Sequence, residues 1–184
     1  MAGRRIVVAD FDVTDFDESP AAWVVPFCDA AAEVFLCMLQ AACSTDTILP
    51  ADQAPRLEAV AVAIDLSGTG PGRVIISVSE RTADQFVERL TGAGAEGDPA
   101  LLRDIVGEVA NMIAGSGKGN LPQLGFLIGT PRPLTAQESL DPAANWPWRR
   151  IAILATSLGP CLLDVSWNLP PGALAADNNL PEVA

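Results

Sequence analysis

The feature that most constrains the fold is a pair of short apolar segments joined by a glycine-rich turn. In residues 57–66, large aliphatic residues alternate with alanine, which is the two-residue period of a strand. Residues 67–72, with the sequence Ser-Gly-Thr-Gly-Pro-Gly, are typical of a turn, and residues 73–79 have the composition of a second strand. Strands joined this closely pair antiparallel. The hairpin therefore needs a layer of helices to cover its apolar face.

Other segments supply those helices and further strands. We predict helices over residues 26–42, 80–91 and 99–118, the last opened by Asp98 as N-cap and Pro99 in the first turn. Two prolines favour a loop over residues 45–56. The remaining predictions are strands over residues 124–130, 150–157 and 161–168, and a long connection over residues 131–147. The order helix-β-β-helix-helix-β-β-β predicts an α+β fold, with a largely antiparallel sheet packed by helices.

The length of 184 residues suits one domain with tails. We expect a single domain over residues 23–169, an acidic leader over residues 1–22 and a loose C-terminal tail over residues 170–184. Acidic residues follow the first short apolar run at once, which does not resemble a secretory signal. No uncharged apolar run reaches the ~18 residues that span a bilayer. We therefore expect a cytoplasmic protein with no membrane partner.

The charge and the missing residue types exclude several functions. The chain has 11 basic and 23 acidic residues, a net charge of −12, which disfavours nucleic acid as a partner. It contains no histidine, so Ser-His-Asp catalysis and His-ligated metals are impossible within the chain. The four cysteines, Cys28, Cys37, Cys43 and Cys161, form no CxxC pair. We expect them to be reduced thiols in the core, and we expect no bound metal.

The predicted helix 99–118 carries an unusual polar stripe. At ~100° per residue, its polar and small side chains fall within roughly an 80° arc. A purely solvated face is the alternative interpretation. However, asparagine in mid-helix and a glycine that costs about 1 kcal/mol relative to alanine are poor choices for such a face. The stripe suits a docking surface that another backbone approaches, and it consists of Asp104, Glu108, Asn111, Gly115 and Lys118.

A faint internal repeat relates this helix to the first one. The pattern Asp-x3-Glu recurs 75 residues apart, at Asp29 and Glu33 and again at Asp104 and Glu108. Where the second copy continues to an asparagine, the first has Leu36. A duplicated half-domain is one explanation.

The string from Asp104 to Leu121, Asp-Ile-Val-Gly-Glu-Val-Ala-Asn-Met-Ile-Ala-Gly-Ser-Gly-Lys-Gly-Asn-Leu, resembles the signature helix of the CheX-type chemotaxis phosphatases of the CheC/CheX/FliY group. The resemblance implies hydrolysis of the aspartyl phosphate of a CheY-like response regulator. By matching position, Asn111 would orient the attacking water and Glu108 would pair with the receiver's active-site lysine. The receiver would supply Mg²⁺, so the chain itself would need no cofactor.

The resemblance also implies one site per chain, because Leu36 replaces the amide in the first helix. It implies a homodimer as well. Asp104 would widen the polar contact with the receiver, Gly115 would give clearance for a loop of the partner, and Lys118 would contact that loop.

Other functions fit the residues less well. The Gly-Ser-Gly-Lys segment at residues 115–118 lacks the glycine and the Ser/Thr that a phosphate-binding P-loop requires, since Met112 and Gly119 stand there. Two carboxylates on one helix face cannot flank a glycosidic bond from opposing elements. The cluster Trp146-Pro-Trp148-Arg-Arg is either a docking anchor or, as we predict, aromatic packing with solvated arginines. A non-catalytic receiver-binding or switch-like adaptor with the same fold remains the main alternative.

Overall fold

The helices and strands follow an order that repeats itself. The computed structural model describes residues 22–135, 138 and 146–168. Within these residues the long helices are α1 (Val25–Leu39), α2 (Glu80–Thr91) and α3 (Pro99–Gly119). The strands are β1 (Cys43–Pro50), β2 (Val60–Ser67), β3 (Gly72–Val78), β4 (Leu127–Pro133), β5 (Trp148–Thr156) and β6 (Cys161–Trp167). Apart from α2, the described part of the chain therefore contains a long helix followed by three strands twice.

The six strands form one antiparallel sheet in the order β1-β5-β6-β3-β2-β4. If β1, β2 and β3 are exchanged in turn with β4, β5 and β6, the same order is read from the other end of the sheet. The two halves, each a long helix and three strands, are therefore related by an approximate twofold axis. The topology supports the repeat seen between the two helices. The α+β fold predicted from the sequence is confirmed, and the hairpin pairs Val60 with Val78 through to Leu66 with Gly72.

The prediction of a loop over residues 45–56 is wrong in its first half. β1 pairs with β5 along the sheet edge, with a register shift between Thr45 and Thr47. An edge strand tolerates the proline that ends it, and its residues are exposed or half-buried. The first helix also ends at Leu39 and not at residue 42, because Gln40 takes a left-handed φ of 48° that closes the helix.

The core lies between the helices and one face of the sheet. Trp167 of β6 is fully buried there, and its ring lies 4.3 Å from Trp23 and 5.5 Å from Phe126, centroid to centroid. Phe35 of α1 meets Phe86 of α2 edge-on at 5.3 Å. Aromatic contacts of this kind add to the burial of large apolar surfaces, so they fix how the helices sit on the sheet.

The opposite face of the sheet carries ion pairs. Arg132 donates to Asp65 at 2.6 Å and to Glu138 at 2.8 Å, and Arg73 also bonds both carboxylates. The hydrogen bonds from Arg132 lower the pKa of Glu138 to about 2. This cluster ties Glu138 to the sheet.

The prediction of solvated arginines beside the tryptophans is wrong for Arg149. That side chain is only 6% exposed and forms a two-pronged pair with Asp164, which is 1% exposed. The partner lies on the adjacent strand β6, and such a pairing cannot be seen in the local sequence. Trp148 packs against the core as the first residue of β5 and not from a loop at the sheet edge, and Trp146 lies 5.6 Å from the Arg73 guanidinium.

Several predictions concern the ends of the chain and the cysteines. The acidic leader, except for Ala22, and the C-terminal tail lie outside the described residues. The four cysteines are free thiols, with Cys28 and Cys161 buried, but Cys37 is exposed, so the prediction of core thiols is wrong for it. Within the part of the chain that the structure describes, no helix is both long and apolar enough to cross a membrane.

Candidate functional site on helix α3

Helix α3 is fixed at its start by the residues that the sequence singles out. The Asp98 carboxylate accepts hydrogen bonds from the backbone N–H groups of Ala100 at 2.8 Å and Leu101 at 3.4 Å. This is an N-cap followed by proline at the first helical position. The helix buries one apolar side against the sheet and α1, and these buried residues include Leu102, Val106, Val109, Ala110 and Ile113.

The predicted polar stripe lies on the opposite, outer side of α3. Asp104 and Glu108 are exposed, while Asn111 and Gly115 are half-buried. We call these four residues the outer face of α3. Glu108 and Asn111 are three positions apart, so they lie about one turn apart on the same side of the helix.

The side chains of Asp104, Glu108 and Asn111 form no hydrogen bond or ion pair with any of the described residues. Elsewhere in the molecule, carboxylates such as Asp65, Asp84 and Asp164 are bound by other groups of the chain. The outer face of α3 thus presents two carboxylates and an amide whose hydrogen-bonding capacity is available to a partner.

Lys118, the fifth residue of the predicted stripe, is turned inward. Its ammonium group donates to the backbone carbonyl of Phe126 at 2.5 Å, which ties the end of α3 to the start of β4. This hydrogen bond gives Lys118 a role within the fold. The predicted contact between Lys118 and a partner stays a prediction.

Two glycines near the end of α3 differ in what surrounds them. A Cβ atom at Gly115 would lie 3.7 Å from the Ile128 side chain, which is an ordinary contact. A Cβ atom at Gly117 would overlap the ring of Phe27 in α1. The fold therefore requires glycine at 117 but not at 115, so the choice of Gly115 has no explanation in the packing of this chain.

A third glycine of α3, which we did not single out from the sequence, brings β4 close to the outer face. A Cβ atom at Gly107 would lie 3.0 Å from the side chain of Pro131. Between helix and strand runs a groove of about 410 Å³, which we call the α3–β4 groove. Its lining includes Arg103, Asp104 and Glu108 from α3 and Pro131, Arg132 and Pro133 from β4.

The strand that borders this groove cannot extend the sheet readily. Pro131 and Pro133 pair with Ile64 and Val62 of β2, and Arg132 between them pairs with Ala63. Proline has no backbone N–H, so this part of the β4 edge lacks donors for an added strand. The two prolines could have been recognised in the sequence as the mark of an edge strand.

The matching surface of α1 is different. Glu33 and Leu36 occupy the positions that correspond to Glu108 and Asn111, and both are exposed. Leu36 is 65% exposed, so it is a large apolar side chain that the core does not use. Within the described residues, no group of three Cys, Asp or Glu side chains is placed to hold a metal ion.

Comparisons with known proteins agree with this architecture. Residues 60–143, which include all of α3, match the family model described as "Chemotaxis phosphatase CheX". A comparison with curated proteins gives no match.

Solved structures share the fold at low sequence identity. A chemotaxis protein CheX from Desulfovibrio desulfuricans is 18% identical, with a TM-score of 0.64 over 79% of this chain and 98% of the other. The CheX-CheY-BeF3-Mg complex from Borrelia burgdorferi gives 20% identity, a TM-score of 0.57, and coverage of 79% and 97%. The FliM middle domain of Vibrio alginolyticus is 13% identical, with a TM-score of 0.54 and coverage of 83% and 93%. Over residues 60–143 the chain is therefore similar to the CheX family, and it shares the fold of solved CheX chemotaxis proteins.

Proposed function

We propose that the chain accelerates hydrolysis of the aspartyl phosphate of a CheY-like receiver. The observation that carries the proposal is the pair Glu108 and Asn111, which stands on the outer face of α3 and has no hydrogen-bond or ion-pair partner among the described residues. The family is described as a chemotaxis phosphatase, and the complex from Borrelia burgdorferi joins a CheX protein to CheY. Both support the class of partner.

In this proposal, Asn111 enters the receiver's active site and orients the attacking water in line with phosphorus. An amide both donates and accepts hydrogen bonds, and it carries no charge to repel the phosphoryl group. Positioning and electrostatics account for most catalysis of phosphoryl transfer, so one well-placed amide has a large effect. The half-burial of Asn111 on α3 limits its motion and favours one orientation.

Glu108 sets the register in which the two proteins meet. Its exposed carboxylate would form an ion pair with the receiver's active-site lysine, and desolvation at the interface would strengthen that pair. The receiver would hold the Mg²⁺ that neutralises charge on the phosphoryl group. The chain itself would bind no cofactor.

The neighbours of this pair have supporting roles in the proposal. Asp104 lies one turn before Glu108 and would widen the polar contact. Gly115 would leave room for a loop of the receiver, since the packing within this chain does not require glycine there. A homodimer, in which each chain offers one such surface, is also part of the proposal, and sedimentation equilibrium would test it.

The test is the decay of a phosphorylated, Mg²⁺-bound CheY-like receiver from the same organism, with catalytic amounts of the chain. We expect faster decay that Asn111→Ala abolishes and Glu108→Ala weakens. Unchanged decay with every receiver would contradict the proposal. If the chain then still bound a receiver, and Asn111→Ala left that binding intact, the non-catalytic adaptor would be the better description.

A further inference from the structure

The outer face of α3 is bordered by a groove whose lining includes the exposed Arg103. We propose that the α3–β4 groove receives a carboxylate-bearing side chain of the receiver, and that Arg103 forms an ion pair with it and thereby helps to select the receiver. This inference rests on the proposed function, because it names how the same partner is recognised.

Arg103 differs from the other cations near the groove. The Lys118 ammonium group is bound to the Phe126 carbonyl, and the Arg132 guanidinium is paired with two carboxylates on the opposite face of the sheet. Arg103 is exposed and forms no hydrogen bond or ion pair with any of the described residues. It is therefore the cation at this site that an incoming carboxylate can engage.

The lining of the groove favours a side chain as its occupant. Its apolar part, formed by Val62, Ala100, Pro131 and Pro133, suits the methylene groups of an acidic side chain. A main-chain strand would need backbone donors along β4, and the two prolines have none. Recognition at this edge of the sheet therefore depends on side chains and not on strand addition.

The positive charge of Arg103 determines that the side chain it binds is negatively charged. The chain has a net charge of −12, and Asp104 and Glu108 line the same groove as Arg103. If the surface of the receiver is acidic as well, the two surfaces repel except where a cation compensates. Glu108 finds its counter-charge in the receiver's lysine, and Arg103 offers the reciprocal one.

The experiment compares two charge reversals in steady-state dephosphorylation of a panel of receivers. Arg103→Glu is expected to raise KM for its best receiver by about ten-fold while kcat changes less than about two-fold. Arg89→Glu, at an exposed position in the last turn of α2, makes the same change in net charge and is expected to leave KM unchanged. Equal KM values for wild type and both variants would overturn the inference.

A binding measurement separates this inference from the proposed function. The receiver is loaded with BeF₃⁻ and Mg²⁺, and its dissociation constant is measured by calorimetry with wild type, Arg103→Glu and Arg89→Glu. If only Arg103→Glu weakens binding, the result supports the proposed ion pair in the groove. This holds even if wild type does not accelerate decay, a result that would contradict only the proposed phosphatase activity. If wild type accelerates decay and Arg103→Glu leaves binding unchanged, only the proposed role of Arg103 in the groove is contradicted. Restoration of Arg103→Glu binding by a receiver Asp→Lys or Glu→Lys change would identify the occupant.

Discussion

Helices α1 and α3 occupy equivalent places in the two halves of this fold, yet only α3 offers an amide. Each helix precedes three strands, and the order of the sheet is unchanged when the halves are exchanged. Both helices carry an exposed glutamate at the same place, Glu33 in α1 and Glu108 in α3. Three residues later, α1 has the exposed Leu36 and α3 has the half-buried Asn111.

The helices also differ in length and in what lies beside them. α1 ends at Leu39, whereas α3 continues to Gly119 and includes Gly115 and Gly117. Because Gly117 permits close contact with Phe27 of α1, the two helices are not interchangeable in the core. The repeated framework therefore carries a polar outer face on α3 and an exposed apolar side chain, Leu36, at the matching place on α1.

The largest expected effect comes from making α3 resemble α1. Asn111→Leu places the α1 residue on the outer face of α3, and we expect it to slow receiver dephosphorylation by about 100-fold, the typical result of removing a positioned hydrogen-bonding group. The folded state should remain as stable as wild type, because the Asn111 side chain has no hydrogen-bond partner in the part of the chain that the structure describes. Phosphoreceiver decay and thermal unfolding, measured on the same preparations, check both statements; a variant with near-normal turnover would contradict them.

Alanine substitutions of Gly115 and Gly117, near the end of α3, should change the free energy of unfolding in opposite directions. Gly117→Ala would force a methyl group into the Phe27 ring, and we expect it to destabilise the fold by about 2 kcal/mol. Gly115→Ala is free of such a clash and should stabilise the helix by up to about 1 kcal/mol. Urea unfolding measures both changes.

If Gly115 provides clearance for the receiver, Gly115→Ala should also reduce turnover despite the gain in stability. Unimpaired turnover in this variant would remove Gly115 from the docking surface.

The two glutamates provide a matched comparison. Glu108→Gln removes the charge that we assign to the receiver's lysine, and we expect receiver affinity to fall about ten-fold. Glu33→Gln makes the same chemical change on α1 and should leave affinity unchanged. Calorimetric titration of both variants with the BeF₃⁻-loaded receiver distinguishes them, and equal losses would show that α1 also contacts the partner.

The ion-pair cluster on the other face of the sheet predicts a pH dependence. The Arg132 guanidinium holds the pKa of Glu138 at about 2, against an ordinary value of 4.5. A lowered pKa stabilises the fold above pH 4.5, and this contribution is lost as the pH falls towards 2. Wild type should exceed Glu138→Gln in unfolding temperature at pH 7, and the difference should shrink by pH 3. A constant difference would contradict the assignment.

The smallest effect is expected from the reverse exchange on α1. Leu36→Asn recreates the Glu-x-x-Asn pattern, but α1 ends before the position that corresponds to Gly115. We expect turnover equal to wild type and stability within about 0.5 kcal/mol, as for most surface substitutions. A doubled turnover per chain would show that the pattern alone makes a site.

The sequence was sufficient to predict the elements whose signals are local. The cap at Asp98, the proline at 99 and the amphipathic pattern located α3 to within about one residue of its observed end. The hairpin of β2 and β3 was likewise evident from alternation and its glycine-rich turn. The sequence predicts the polar stripe as one surface, and four of its five residues share the outer face of α3.

What could not be predicted depends on contacts between distant segments. β1 has no apolar alternation and is a strand because β5 pairs with it, with an irregularity at Thr45–Thr47. The burial of Arg149 depends on Asp164 across the strand pair, and the inward turn of Lys118 depends on the Phe126 carbonyl. The groove beside Arg103 depends on the close approach of Pro131 to Gly107, which has no side chain. Neither residue, taken alone in the sequence, indicates a binding site.

The most direct test of the central claim is single-turnover decay of a phosphorylated, Mg²⁺-bound receiver at saturating concentrations of the chain. Saturation removes differences in affinity, so only the chemical step is compared between wild type and Asn111→Ala. The account predicts equal binding, with the decay rate of the Asn111→Ala complex reduced to that of the free receiver. Equal decay rates in the two complexes, both above that of the free receiver, would contradict the assignment of water positioning to Asn111.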